Sequence, residues 1–188
     1  MNMRRRVVSY LLLAALSLAG MPAAFAQAQK AARSPDVIFV PTPQEVVEDM
    51  LRLVDVKKGD VLYDLGSGDG RIPITAAKLY GIRAIGIDID PQRIAEATAN
   101  VKAAGLEHRI TLILGDIFDP KVKIGEATVV SLYLLERLNI QLIPRLKTEL
   151  KPGSRVVSHA FTMGSQWAPD KIGNVEGTPI YLWTIPKP

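Results

Sequence analysis

A glycine-rich stretch at residues 63–71, with the sequence YDLGSGDGR, constrains the fold of this chain more than any other feature. It continues an apolar run that begins at residue 61 and leads into residues 72–80, whose composition is compatible with a helix. Because glycine has no Cβ, glycines at alternate positions allow a tight turn and let a ligand approach the backbone closely. A strand, a glycine turn and a helix in this order predict a nucleotide-binding crevice.

The spacing of these glycines distinguishes two classes of cofactor. A dinucleotide-binding turn has the pattern Gly-x-Gly-x-x-Gly, in which Arg71 would stand at the third glycine. The chain instead has Gly66, Gly68 and Gly70, a departure that points away from NAD and toward S-adenosylmethionine. A glycine pattern alone is also typical of ordinary turns, so the prediction depends on acidic residues at the ends of neighbouring strands.

With those acidic residues included, the chain resembles the class I S-adenosylmethionine-dependent methyltransferases. Asp64 opens the glycine motif, Asp88 ends the next apolar segment, and Asp116 follows the one after that. In this family the glycines lie under the methionine part of the cofactor, the second acid accepts hydrogen bonds from both ribose hydroxyls, and the third acid and its successor contact the adenine. The resemblance implies S-adenosylmethionine as cofactor and these binding residues: Asp64, Gly66, Ser67, Gly68, Gly70, Asp88, Ile89, Asp116 and Ile117.

Two of these acidic residues have alternative interpretations. Dinucleotide enzymes also place an acid where Asp88 stands, and Asp116 suits a turn or a helix cap equally well. Two other functions therefore stay open. One is a nucleotide-dependent oxidoreductase, which Arg71 disfavours, and the other is a non-catalytic S-adenosylmethionine-binding module that has kept the fold without turnover.

Strands alternate with helical segments after residue 60, which favours a mostly parallel sheet covered on both faces. A helix before the first strand is predicted to have Thr42 as N-cap, Pro43 at its first position and Glu45 completing a capping box. Strands are predicted at residues 61–65, 84–88, 110–114, 128–134, 155–160, 171–175 and 178–185, and later helices at 71–80, 91–104 and 139–150. The resemblance makes the last two strands an antiparallel hairpin. The fold class is therefore α/β, a Rossmann-like seven-stranded sheet.

The methyl acceptor is predicted to bind near the ends of the fourth and fifth strands. Methyltransferases that act on amino groups often end strand four in Asp/Asn-Pro-Pro-Tyr, where this chain has VSLYLL at residues 130–135. Tyr133 matches the tyrosine and is predicted as an aromatic wall, with a core aromatic as the alternative. Ser131 is predicted as a hydrogen-bond acceptor. His159 is predicted either as a general base or, as is more common, as a structural histidine.

A closer resemblance is carried by residues 39–43 (FVPTP), 69–72 and 128–135. They are similar to a small group of compact methyltransferases that includes bacterial members and protein-lysine methyltransferases acting on mitochondrial inner-membrane proteins. The resemblance implies a protein lysine, on an envelope protein, as one hypothesis for the acceptor. In the lysine enzymes the segment before strand one closes over the cofactor, which here implies a lid or entrance at Pro41, Thr42 and Pro43.

The N-terminus has the features of a secretory signal peptide. Residues 4–6 are arginines, residues 7–19 form an apolar core, and Ala-Phe-Ala at residues 24–26 fits the cleavage pattern. The predicted organisation is a signal peptide at 1–26, a flexible leader at 27–36 and one methyltransferase domain at 37–188. Export to the periplasm or secretion is therefore expected, with an uncleaved, membrane-anchoring leader as the alternative.

Composition restricts the possible sites and partners. The chain has no cysteine, which excludes disulfides, thiolate metal sites and a lipoprotein anchor, and with two histidines no metal site is predicted. Three of the positive charges lie in the predicted signal peptide, so the net charge of +4 becomes +1 for residues 27–188. A nearly neutral domain gives no reason to expect a nucleic-acid partner.

Overall fold

The computed structural model describes residues 33–187. Its strands are β1 (Val61–Leu65), β2 (Arg83–Asp88), β3 (Ile110–Leu114), β4 (Val129–Leu132), β5 (Arg155–His159), β6 (Lys171–Val175) and β7 (Thr178–Thr184). Its helices are α1 (Gln44–Leu53), α2 (Arg71–Tyr80), α3 (Pro91–Ala103) and α4 (Glu136–Glu149), with a short 3₁₀ turn at Gly164–Gln166. All seven predicted strands are present: β1, β3 and β6 have the predicted bounds, and the other four differ only at their ends.

The seven strands form one sheet in the order β3-β2-β1-β4-β5-β7-β6. The first five in the chain are parallel, and β1 pairs with β2 on one side and with β4 on the other. β7 lies antiparallel between β5 and β6, which confirms the predicted hairpin. Because the chain order reverses between β1 and β4, a ligand crevice is expected at the carboxyl ends of these strands.

Separate hydrophobic cores cover the two faces of the sheet. The first core contains Met50 of α1, Ala76 of α2 and Val101 of α3, packed with alternate strand residues. The second contains Leu142 and Leu146 of α4 with the intervening strand residues. Successive strand side chains point to opposite faces, which is why β1 to β5 and β7 contribute to both cores, whereas β6 contributes only Val175, to the first. Helices on both faces, as predicted, therefore enclose the sheet.

The start of α1 differs from the sequence prediction. Its N-cap residue is Pro43 and no side chain caps the helix, so the predicted capping box of Thr42 and Glu45 is wrong. Thr42 is 4% exposed, and its hydroxyl lies 3.3 Å from Nδ1 of His159. The hydroxyl of Thr42 therefore contacts His159 in the tertiary structure instead of capping α1.

The start of α4 also differs, since the helix begins at Glu136 rather than at the predicted residue 139. Its N-cap residue is Leu135, which has no side-chain oxygen to cap an amide. The sequence therefore carries no local signal for this helix end. β4 ends at Leu132 rather than at the predicted residue 134, and only Tyr133, Leu134 and Leu135 connect it to α4.

The described part of the predicted leader, residues 33–36, packs against the domain. Nε of Arg33 donates to Asp116 at 2.6 Å, and Arg137 donates to the carbonyl of Asp36 at 3.1 Å. No structural change marks the predicted boundary at residue 37, and residues 33–43 are called the N-terminal strap below. The predicted signal peptide lies outside the described residues. Within residues 33–187, none of the helices is both long and apolar enough to span a membrane.

Candidate active site

A cavity opens at the carboxyl ends of β1 to β4, at the reversal of strand order, and the N-terminal strap forms part of its wall. Most of the predicted site residues lie around it. Those that line it are Thr42, Asp64, Gly66, Ser67, Asp88, Ile89, Asp116, Ile117 and Tyr133. The others are set back from the lining: Pro41, Pro43, Gly68, Gly70, Ser131 and His159.

The glycine turn between β1 and α2 is fixed to the end of β2. The amides of Gly66 and Ser67 donate to the carbonyl of Ile87 at 2.8 and 3.0 Å. At Gly68 the φ angle is +53°, and an added Cβ would lie 2.2 Å from Cε2 of Phe39. Only glycine therefore lets the N-terminal strap lie directly on the turn.

Asp88 ends β2 and organises the same turn. Its Oδ2 accepts the amide of Gly68 at 2.8 Å, and its Oδ1 accepts the amide of Asp90 at 2.9 Å. Burial raises the pKa of Asp88, although both amides favour the ionised form. A carboxylate oxygen can accept more than one hydrogen bond, so Asp88 can still bind ligand hydroxyls in the cavity that it lines.

Asp64 lies at the floor of the cavity, where it is 2% exposed. Burial raises its pKa to about 8, and the nearby carboxylates of Asp88 and Asp69 act in the same direction. The hydroxyl of Ser131 donates to Oδ1 of Asp64 at 2.7 Å. Ser131 is fully buried beneath Asp64 and does not line the cavity, so its predicted contact with the methyl acceptor stays a prediction.

Asp116 occupies the end of the cavity that follows β3. Its Oδ1 accepts the amide of Phe118 at 2.9 Å, and its Oδ2 accepts Nε of Arg33 at 2.6 Å. Burial opposes ionisation, but Arg33 and the Phe118 amide hold the pKa of Asp116 below its ordinary value. The residue predicted to contact adenine is therefore also an anchor for the N-terminal strap.

Arg145 of α4 holds the rest of the loop after β3, and sequence reasoning missed it. Its guanidinium pairs with Glu149 at 2.6 Å, and this contact lowers the pKa of the glutamate. The same guanidinium donates to three backbone carbonyls, those of Ile117, Asp119 and Val122. Backbone acceptors leave no pattern in the side chains, so no sequence signal pointed to this contact.

Arg71 connects the N-terminal strap to the glycine turn. Its guanidinium pairs with Asp69 at 2.6 Å and donates from Nη1 to the carbonyl of Thr42 at 2.8 Å. Further along the strap, the guanidinium of Arg93 lies 4.9 Å from the ring centre of Phe39, at cation–π distance. Arg71, which the sequence marked as a departure from the dinucleotide pattern and as part of the resemblance at residues 69–72, thus holds the predicted lid in place.

Aromatic rings form the end of the site near β4 and β5. The ring centre of the half-buried Tyr133 lies 3.9 Å from that of His159 and 6.2 Å from that of Phe161. Burial lowers the pKa of His159, so its ring is neutral at pH 7. His159 contacts Tyr133 and Thr42, both of which line the cavity, but does not line it itself. This position favours the structural interpretation of His159.

The cavity suits a ligand that is cationic and carries polar groups. Ser67 Oγ is buried and has no hydrogen-bond partner among residues 33–187, so a ligand group can supply one. Within the same range no cluster of three or more His, Asp or Glu side chains is placed to hold a metal ion. Six carboxylates and three guanidinium groups line the walls: Asp36, Asp64, Asp69, Asp88, Asp90 and Asp116, with Arg33, Arg71 and Arg93.

Comparison with known families decides which ligand this is. The ANTKMT methyltransferase domain matches residues 64–171, from the end of β1 to the start of β6. The chain belongs to this family. It is a methyltransferase that uses S-adenosylmethionine, whose sulfonium and ammonium groups fit the acidic cavity.

Individual relatives agree with the family. A protein-lysine N-methyltransferase from Saccharolobus islandicus is 45% identical over 157 residues, which cover 80% of this chain and 95% of that protein. A mouse lysine N-methyltransferase, named for one of the subunits of ATP synthase, is 32% identical over 132 residues, or 70% of this chain. This chain spans only 51% of the mouse protein.

A solved structure supports both the fold and the cofactor. An RNA methyltransferase from Salinibacter ruber, in complex with S-adenosylhomocysteine, superposes with a TM-score of 0.76 and is 52% identical. The match covers 79% of this chain and 95% of that one. It confirms the Rossmann-like methyltransferase fold predicted from the sequence.

Replacing Asp88 with alanine tests the cofactor end of the cavity. The variant loses the acceptor for ligand hydroxyls and for the Gly68 amide, so we expect S-adenosylhomocysteine to bind at least tenfold more weakly, about 1.4 kcal/mol. Calorimetric titration of the full chain measures this, with NAD as a ligand expected not to bind. Glu107→Ala, an exposed acid in the turn before β3, is the control. Unchanged affinity in Asp88→Ala would contradict this role.

The raised pKa of Asp64 predicts pH-dependent cofactor binding. Below about pH 8 the free protein keeps a proton on Asp64, while a bound cationic group favours the carboxylate. Binding therefore releases a proton, and affinity for S-adenosylhomocysteine should rise between pH 5.5 and 7.5 by up to about tenfold per unit. Calorimetry across this range measures the slope, which Asp64→Asn should abolish.

The stability of the same Asp64→Asn variant is an internal control. Unfolded Asp64 ionises near 3.8 whereas folded Asp64 ionises near 8, so native Asp64 destabilises the free protein progressively as pH rises through this interval. Asp64→Asn should therefore unfold at a higher temperature than the unmodified protein, with the larger difference at pH 8 than at pH 5. A variant that binds weakly because it is misfolded would show the opposite.

Proposed function

We propose that this methyltransferase acts on the ε-amino group of a protein lysine. The observation that carries the proposal is the acidic cavity that ends at Tyr133, whose ring lies against the neutral His159. A lysine ammonium is attracted by surrounding carboxylates, and an aromatic face adds a favourable contact for a cation. The names of the Saccharolobus islandicus and mouse relatives support the same acceptor.

The bound cofactor supplies an electrophilic methyl group, and the chain must hold the acceptor in line with it and exclude water. We assign the N-terminal strap to water exclusion, because Arg71 holds the Thr42 carbonyl over the cavity mouth. Tyr133 packs beside the acceptor and orients it. His159 supports Tyr133 from behind, and its lowered pKa means that it adds no positive charge beside two cationic partners. A lysine must lose its proton to solvent before it attacks, and desolvation against the ring of Tyr133 lowers its pKa, which opposes the effect of the carboxylates.

RNA is a second candidate acceptor because the Salinibacter ruber protein is described as an RNA methyltransferase. Binding RNA requires cationic side chains along the phosphates. Even with Asp64 protonated, five carboxylates and three guanidinium groups line the cavity, and residues 27–188 carry a net charge of only +1. Electrostatics therefore favours the lysine over the polyanion.

Methyl-labelled S-adenosylmethionine separates the two acceptors. The purified full chain is incubated with envelope protein and, separately, with total RNA from the source cells, and the products are hydrolysed and analysed by mass spectrometry. Labelled methyl-lysine is the expected product. Labelled nucleosides without methyl-lysine would transfer the proposal to RNA. No label in either pool, while S-adenosylhomocysteine still binds, would favour the non-catalytic binding module.

Tyr133→Ala tests whether the aromatic wall belongs to the acceptor side. Without the ring the acceptor is no longer held in line, so we expect kcat to fall about 10²-fold while affinity for S-adenosylhomocysteine stays within about twofold. Tyr80→Ala is a matched control, since Tyr80 is the last residue of α2 and lies at the end of the strands away from the cavity. An equal loss of kcat in both variants would show a general effect on folding instead.

We also propose that the leader directs the chain out of the cytoplasm, as residues 1–26 predict. S-adenosylmethionine is made in the cytoplasm, so either the cofactor reaches the envelope or the enzyme is exported already folded. A retained leader would instead anchor the domain, with its basic end inside and the domain on the outer side. N-terminal sequencing of the protein from fractionated cells tests this. Gln27 at the start in the envelope supports cleavage, Met1 in the membrane supports the anchor, and Met1 in the cytoplasm contradicts export.

A further inference from the structure

The turn that follows β5 has a strained backbone next to the acceptor side. Ala160 has a φ of +62°, a left-handed value that a residue with a Cβ adopts at a cost. The amide of Phe161 donates to the carbonyl of His159 at 2.7 Å, which closes a three-residue turn of a rare type. Such strain persists only where surrounding contacts hold the backbone in place. The turn also brings His159 and Phe161 to the same side as Tyr133.

The contacts that hold this turn converge on one buried side chain. Nδ2 of Asn139, on the first turn of α4, lies 3.2 Å from each of three acceptors: Oγ of Ser158 and the carbonyls of Phe161 and Thr162. Oγ of Ser158 in turn donates to the carbonyl of Phe161 at 2.8 Å. From the other side, the amide of Ala160 donates to the carbonyl of Pro179 in β7 at 2.9 Å.

Asn139 is an unusual choice for its position if packing alone is considered. It is 0% exposed on a helix whose neighbouring positions Leu138 and Leu142 belong to the second hydrophobic core. Its amide oxygen has no hydrogen-bond partner among residues 33–187. A buried polar group with an unpaired atom destabilises a core relative to an apolar side chain of similar size. An apolar side chain could not donate the hydrogen bonds that Asn139 makes to the turn after β5.

The position of Asn139 in the chain makes it a link between two strand ends. Tyr133 follows β4, and α4 begins three residues later with Glu136, whose carboxylate accepts the hydroxyl of Thr162. The first turn of α4 therefore joins the end of β4, with its tyrosine, to the turn after β5. Any change in that turn shifts the ring of His159 that lies against Tyr133.

We propose that Asn139 is a positioning residue for methyl transfer: it holds the strained β5 turn so that His159 and Phe161 fix the ring of Tyr133 beside the acceptor. The inference rests on the proposed role of Tyr133. Asn139 touches neither cofactor nor acceptor and acts through the turn, so it affects the orientation of the acceptor and leaves cofactor binding unchanged.

Asn139→Leu is the decisive variant, because leucine keeps the size and suits the core but donates no hydrogen bond. We expect a melting temperature equal to or above that of the unmodified protein, and affinity for S-adenosylhomocysteine within about twofold. With the acceptor misplaced, kcat should fall about 10²-fold. Ser154→Ala is the matched control, since it removes a buried hydrogen bond, from Oγ to the Ala127 carbonyl, at the opposite end of β5. The control should keep its kcat.

A readout independent of turnover comes from the ring of His159. Proton NMR titration reports its imidazole, whose pKa burial lowers. In Asn139→Leu the released turn should expose His159 and move its pKa toward the ordinary value. This measurement tests the positioning role whichever acceptor the enzyme uses, and therefore also if the lysine assignment fails.

Relief of the backbone strain provides the final test. Glycine adopts a positive φ without penalty, so Ala160→Gly should restore the turn in the Asn139→Leu background and recover at least part of the lost kcat. A side chain needed only for general stability would not be replaced in this way. Unchanged kcat and an unchanged His159 titration in Asn139→Leu would overturn the proposal. So would a loss of cofactor affinity as large as the loss of kcat.

Discussion

The hydrogen bond from the Gly68 amide to the Asp88 carboxylate is the interaction on which the rest of the site depends. It joins the turn after β1 to the end of β2, and so sets the distance between the floor of the cavity and the carboxylate that is predicted to receive the ribose. The same glycine leaves room for Phe39 above it. Gly68, which has a backbone amide to donate and no side chain, therefore determines where the sheet, the glycine turn and the N-terminal strap meet.

Charge is distributed unevenly around the cavity. Carboxylates gather at the ends of β1, β2 and β3, and the deepest of them, Asp64, is protonated at neutral pH because it is buried beside Asp88 and Asp69. The β4 and β5 ends are aromatic, with a histidine that is neutral. The donor half thus offers negative charge to a cationic cofactor. The acceptor half offers aromatic ring faces, which do not repel the cationic cofactor.

Much of this arrangement could be predicted from the sequence, because it depends on local pattern. The strands are apolar runs, the glycine turn follows from backbone freedom, and Asp88 and Asp116 stand at strand ends where parallel sheets bind ligands. The contacts that failed prediction join residues far apart in the chain. Thr42 was assigned to a helix cap but meets His159, 117 positions away, and Asn139 and Arg145 donate mainly to backbone carbonyls, which any residue provides.

Both of those missed side chains project from α4. Asn139 reaches the turn after β5, and Arg145, nearly two helical turns later, reaches the loop after β3. One helix thus supports both the loop after β3 and the turn after β5 from behind, and its Leu138 also lines the cavity. Residues in the turn after β5 can therefore be exchanged during evolution, and the methyl acceptor can change with them, while the cofactor end of the cavity is preserved. A substitution that tilts α4 would disturb both the cofactor end and the acceptor side. Evolutionary change in specificity is therefore expected in the turn, and conservation in the helix.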